Sequence, residues 1–161
     1  MRRIWMILAL TILLAAGMGT PNALASGPSC KGISCRGIWP ESTNCAGTHA
    51  HTVQGAHYAN GNWGRIYVEL RYSGYCVSNW SRVSVVRTQY WNGWPNYLYA
   101  YAHEQWNNYT QDYGRSYSPY LGVGAALHTR MVDGYDIVQA CGGMKNYAYS
   151  GWYDPWSCYE G

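Results

Sequence analysis

Phenylalanine is absent, and charged residues make up only 12% of the 161-residue chain. A formal net charge of +3 gives neither the polybasic footprint of a nucleic-acid binder nor the charge excess of a disordered tail, so nucleic acid is not an expected partner. Aliphatic residues are scarce too: from Ser26 onward Ile, Leu, Val and Met together number nineteen. They cannot fill a core alone, so the 17 Tyr and 8 Trp of the same stretch must supply much of the burial. Each such ring buries roughly 150–250 Å² but brings an O–H or N–H that needs a partner. Long apolar runs are also missing. The longest, Ile4 to Ala16, falls short of the roughly 20 residues that span a bilayer, so no transmembrane anchor is expected.

That short run is instead the middle of a secretory signal peptide. Arg2 and Arg3 precede it, and Ala23-Leu24-Ala25 ends it with the small residues a signal peptidase takes. The expected organisation is a leader over 1–25 and one β-rich domain over 26–161, secreted and extracellular. Intact-mass measurement of secreted material should give Ser26 as the first residue; a start more than three residues away, or a retained Met1, would refute this. Without the leader, nine Lys and Arg face eight Asp and Glu, so recognition must rest on local contacts rather than long-range steering.

Cys30, Cys35, Cys45, Cys76, Cys141 and Cys158 all follow the expected cleavage point, and an even set in an exported chain reads as three disulfides. Six cysteines allow 15 pairings, which spacing alone does not decide. Chain order favours Cys141 with Cys158, then Cys45 with Cys76, leaving Cys30 with Cys35. A zinc site lacks any C-x2-C pair, and no metal or cofactor is expected.

The clearest periodicity is Ile66, Val68, Leu70 and Tyr72 alternating with Arg65, Tyr67, Glu69 and Arg71, a half-buried strand. Ser73-Gly74 signals a turn into a second strand carrying Val77, Val83, Val85 and Val86, so the two form a hairpin. Tyr97, Tyr99 and Tyr101 alternate with Leu98, Ala100 and Ala102 at strand spacing, although a short helix through Trp106 also fits. Residues 107 to 120 read as a long loop, and Tyr135 to Cys141 as a strand. With an irregular Gly-, Ser-, Pro- and Cys-rich stretch over 26 to 47 and no long helical period, the expected fold is mostly β: a small disulfide-stabilised antiparallel sandwich or barrel with long loops.

Catalytic signatures are few. His103-Glu104-Gln105-Trp106 begins like H-E-x-x-H, but Asn107 stands where the second histidine belongs. His49 and His51 are spaced to share one strand face, with no evident third ligand. There is no nucleophile elbow and no phosphate loop. The eight carboxylates do not exclude a glycosidase pair, which needs only two. Glu69, between Arg65 and Arg71, reads as a salt-bridged surface residue.

Cys30-Lys-Gly-Ile-Ser-Cys35-Arg-Gly-Ile-Trp-Pro40, then Cys45, Glu69-Leu-Arg-Tyr-Ser73, Cys76, Trp80, Arg82 and Val83, resembles the YjfA-like family of exported bacterial proteins, catalogued as a domain of unknown function. Met131-Val-Asp-Gly134 with Ala140-Cys141 extends the resemblance over most of the chain after Ser26. It implies a secreted bacterial disulfide-bonded domain and no catalytic residues. Acids usual in that family are replaced here by Arg36 and Trp39, and another is missing near His49. If those acids bind a cation in relatives, the resemblance implies that this chain has lost the site.

The most unusual segment runs from Tyr90 to Trp106, where seven of seventeen residues are aromatic. Part of this serves a core short of aliphatics. Trp91 and Trp94, beside Asn92-Gly93 and Pro95, and Tyr97, Tyr99 and Tyr101 on one strand face are the candidate binding residues, because exposed aromatic surface is where proteins and sugars bind. The expected function is a non-enzymatic module binding a secreted protein or cell-envelope carbohydrate. A secreted antagonistic toxin component and a small hydrolase are the alternatives.

Overall fold

The computed structural model describes residues 27–53, 57–88, 96–117, 122–146 and 153–161. Among them there is no α-helix, only ten strands and three short 3-10 turns. The strands are β1 (Ala50–Thr52), β2 (His57–Gly61), β3 (Gly64–Ser73), β4 (Ser78–Thr88), β5 (Asn96–Glu104), β6 (Tyr109–Tyr117), β7 (Ala126–His128), β8 (Val132–Asp133), β9 (Val138–Asn146) and β10 (Trp156–Glu160). Sheet A is built on the β3–β4 hairpin, with β1 and β2 along β3 and with β7 and β8 along β4. Sheet B runs β10-β9-β5-β6, every neighbour antiparallel. The two sheets form a sandwich and not a closed barrel.

The period-two pattern fixes which face each strand buries. Ile66 and Val68 from β3 and Val83 and Val85 from β4 meet Leu98 and Ala100 of β5 and Met144 of β9 in one apolar cluster. Fully burying such a side chain contributes about 1.5–3 kcal/mol. The sheets approach closely because β9 carries Gly142, where an added Cβ would lie 2.3 Å from Val83 Cγ2. At the other end Leu70, Ala102, Val132, Val138 and Ala140 continue the core.

The alternation fails where the backbone departs from the plain ladder. A bulge shifts the β3–β4 register between Arg65 and Ile66, so Val85 opposes Ile66 while Arg87 opposes Arg65. The extra residue, Val86, is pushed out to 37% exposure. Val77 is not in the strand but in the turn, at φ 48°, unusual for a β-branched residue. Gly134 packs against that turn and donates its N–H to the Val77 carbonyl at 3.0 Å, holding the conformation.

Tyr97 to Glu104 is strand throughout, as its two-residue alternation favoured. Two segment assignments need correction. Most of the expected loop over 107 to 120 is β6, paired residue by residue with β5. β6 is a sheet edge, and opposite the inward Ala100, Ala102 and Glu104 of β5 it carries Tyr113, Gln111 and Tyr109 rather than aliphatics, so its polar composition hid the alternation. The strand expected over Tyr135 to Cys141 begins only at Val138. The Tyr135 N–H donates to Asp133 Oδ1 at 3.1 Å, and that tight turn leaves Tyr135 72% exposed.

The stretch from Gly27 to Gly47 covers the open side of the sandwich between β6 and the β7–β8 edge. Its disulfides are Cys30–Cys35 and Cys45–Cys76, and the third, Cys141–Cys158, joins directly opposed residues of β9 and β10. These are the three pairs that chain order favoured. Cys76 sits in the β3–β4 turn, so Cys45–Cys76 fastens the cover to the hairpin, around buried Trp80 and Met131.

Candidate functional site

Because Leu98, Ala100 and Ala102 face the core, Tyr97, Tyr99, Tyr101 and His103 line the outer face of sheet B. Their partners on β9 are Lys145, Gly143, Cys141 and Gln139, in that order. Tyr99 therefore lies between two glycines, Gly143 on β9 and Gly114 on β6. The opening beside Tyr99 is filled from β10: Trp156 is the cross-strand partner of Gly143, and its ring stacks on Tyr99 at 5.9 Å between centroids.

Tyr153 completes the group, 5.2 Å from Tyr99, 5.4 Å from Trp156 and 6.4 Å from Tyr97. Gly143 is what admits these rings, since a Cβ there would lie 2.4 Å from Trp156 and 2.9 Å from Tyr153. Lys145 Nζ lies 5.3 Å from the Tyr97 centroid and 5.0 Å from that of Tyr153. The result is a contiguous aromatic surface with a cation at one corner, facing away from the sandwich. Trp156 is 43% exposed; Tyr97, Tyr99, Tyr101 and Tyr153 are half-buried.

Of the candidate binding residues, Tyr97 and Tyr99 thus join one cluster, and Tyr101 continues the row toward His103, 6.1 Å away. Trp91 and Trp94 lie outside the described residues. Tyr153 and Trp156 were not among the candidates, because a glycine-punctuated tail shows no periodicity that would place it beside β5. The signal that was available is Gly142-Gly143 inside a strand pattern, which marks close approach of other groups on both faces.

Other chemistry resolves into structural roles. His103 and Glu104 point to opposite faces of β5, as adjacent strand residues must. His49 ends a 3-10 turn and stacks on Tyr75 at 4.4 Å, while His51 lies in β1 against Tyr72, so they do not share a strand face. Glu69 is buried rather than on the surface. Its carboxylate pairs with Arg71 and Arg82, each at 3.5 Å, and accepts the Thr52 hydroxyl at 2.6 Å; Arg65 is not its partner. Asp136 anchors the β5–β6 turn by accepting the backbone N–H groups of Trp106 and Asn107 at 3.2 Å. Among the described residues, the one group of three close ligating atoms is Cys30, Cys35 and Cys45, all committed to disulfides.

No family model, curated protein or solved structure matches the chain. What the site can do must therefore be read from its own geometry.

Glu104, buried completely, is the most demanding group in the protein. Arg36 donates from Nε to Glu104 Oε1 at 2.8 Å and from Nη2 to Oε2, a forked pair, and the Asp133 backbone N–H donates to Oε1 at 2.6 Å. The Arg36 guanidinium also lies 5.1 Å from the Tyr109 ring centroid. Its pKa is raised above the ordinary arginine value chiefly by the hydrogen bond to Glu104. This pair locks the disulfide-bonded cover onto sheet B. It makes Glu104 a structural group and not an available acid or base.

Two concavities flank these features. One, of 280 Å³, is lined by Trp39, Glu41, Tyr113, Ala126, Leu127 and His128, with His128 Nε2 2.8 Å from Glu41 Oε1. The other, of 350 Å³, has an apolar floor of Val53, Leu70 and Ile137. Neither brings two uncommitted carboxylates together.

Proposed function

We propose that the protein is a secreted, non-enzymatic module that binds a cell-envelope carbohydrate on the outer aromatic face of sheet B. The observation that carries this reading is the clustering of Tyr97, Tyr99, Tyr153 and Trp156 over Gly143, on the side of sheet B turned away from sheet A. A chain short of aliphatic residues gains most by turning its rings inward, yet here four stand outward as one surface. Sugar rings present apolar C–H faces that stack on such surfaces, while the phenol and indole groups supply hydrogen bonds at the edge.

The described carboxylates support the same reading. Glu41, Glu69, Glu104, Asp133, Asp136 and Asp154 are each held by a cation, a histidine or an N–H donor, which leaves only Glu160 uncommitted among the described side chains and argues against a glycosidase pair. Three disulfides fit the oxidising compartment that secretion implies.

Binding to insoluble cell-envelope glycan tests the proposal. Tyr99→Ala and Trp156→Ala should each weaken retention about thirtyfold, the effect of losing an anchor of about 2 kcal/mol. Gly143→Val should do the same by displacing Trp156 and Tyr153. Thermal melting of the two alanine variants should stay close to wild type. If both are retained as well as wild type, or if loss of retention only follows loss of folding, the face is not the binding site. Capture of a protein with no retention on glycan would replace the carbohydrate with a protein partner.

A further inference from the structure

The outer face of sheet A is chemically unlike that of sheet B: it carries Arg65, Arg71, Arg82 and Arg87. Arg71 and Arg82 are both compensated by Glu69. Arg65 and Arg87 are direct cross-strand partners, placed opposite each other by the bulge at Val86. Neither makes an ion pair among the described residues, and like charges directly opposed in a sheet repel.

Arg65 is moreover held in place with a donor unused. Its guanidinium lies 4.3 Å from the Tyr58 ring centroid, and its Nε is buried without a hydrogen-bond partner. Tyr58 in turn packs on Tyr67 at 4.5 Å, which fixes the platform on which Arg65 rests. Bulges bend a strand and re-aim side chains, a device found next to functional sites.

We infer that Arg65 and Arg87 form an oxyanion site for a phosphate monoester or free phosphate on the outer face of sheet A. Guanidinium groups present forked N–H donors that match phosphate oxygens. Two uncompensated positive charges match a phosphate monoester, which carries about −1.5 to −2 at neutral pH, better than a single carboxylate. The site lies on the opposite sheet from the aromatic face, so it stands or falls separately from the carbohydrate reading.

Titration of the full chain with inorganic phosphate, against chloride at matched ionic strength, tests this by nitrogen NMR of the Arg65 Nε–H. Phosphate should shift that signal saturably. Arg87→Gln should weaken the binding at least tenfold, Arg87→Lys should weaken it less, and Arg130→Gln, on a residue stacked on Trp39 elsewhere, should leave it unchanged. Phosphate should also raise the melting temperature of the wild type and not that of Arg87→Gln, an effect of binding only the folded state. Glycerol phosphate binding at least as tightly as inorganic phosphate assigns the site to an ester, and weaker binding assigns it to the free ion. Acetate binding as tightly as phosphate, a shift that never saturates, or unchanged binding by Arg87→Gln would overturn the inference.

Discussion

Glu104→Gln and Arg36→Ala should each destabilise the protein by about 3–5 kcal/mol, the loss that follows removal of one member of a buried ion pair. Glu104 is fully buried, and the Arg36 side chain is 18% exposed, so little water is at hand to replace either partner. Arg36 cannot adapt by shedding its proton. The raised pKa contributes stability that is fully present below the ordinary arginine value and is lost only as pH rises past the folded one, above any working pH. The loss should appear in urea as a lower midpoint with an unchanged slope, and in heating as a fall of about 10–15 °C.

A double replacement sharpens the reading. Arg36→Met with Glu104→Leu removes both charges, and apolar replacement of a buried pair is often neutral or stabilising. Here it should recover only part of the loss, because Glu104 Oε1 also accepts the Asp133 N–H, and that donor would be orphaned at about 1–3 kcal/mol. Full recovery would mean that the Asp133 bond contributes nothing. A single-variant loss below about 1 kcal/mol would place the pair with ordinary surface salt bridges.

The residues that sequence reasoning located and those it missed differ in a physical way. Ile66, Val68 and Leu70 were legible because a half-buried strand between aliphatic neighbours leaves a two-residue period. β6 was illegible because an edge strand built on Tyr, Gln and Thr has no such contrast, and pairing with β5 is a tertiary fact. Tyr97, Tyr99 and Tyr101 could be put on one face, since adjacent strand residues alternate by geometry alone. That Tyr153 and Trp156 would join them depends on β10 returning beside β9, which no local pattern encodes. Glu104 was read only as part of a failed metal motif, whereas its importance comes from Arg36, 68 residues away in sequence.

Breaking the Cys45–Cys76 disulfide by Cys45→Ala with Cys76→Ala should cost about 3.5 kcal/mol, the chain-entropy value for closing a loop of this length. The two cysteines are 31 residues apart, against 5 for Cys30–Cys35, whose loss should matter less. The consequence should also be local. From Gly27 to Gly47 the cover has no strand to hold it, and its backbone ties to the sandwich include Gly32 N–H to Cys76 O at 2.7 Å, Gly37 N–H to Met131 O at 3.0 Å and Met131 N–H to Ile38 O at 2.9 Å. With the disulfide gone, those bonds, the Arg36–Glu104 pair and the contacts of Trp39 and Glu41 with Tyr113 and His128 are left to keep it seated. Trypsin under native conditions should then cut after Lys31 or Arg36 at levels that leave the wild type intact. Because the disulfide and the ion pair hold the same segment, adding Arg36→Ala to the cysteine variant should cost less than the two losses summed. Cleavage spread evenly over the chain, or strict additivity, would show that the disulfide stabilises the whole domain and does not act through the cover.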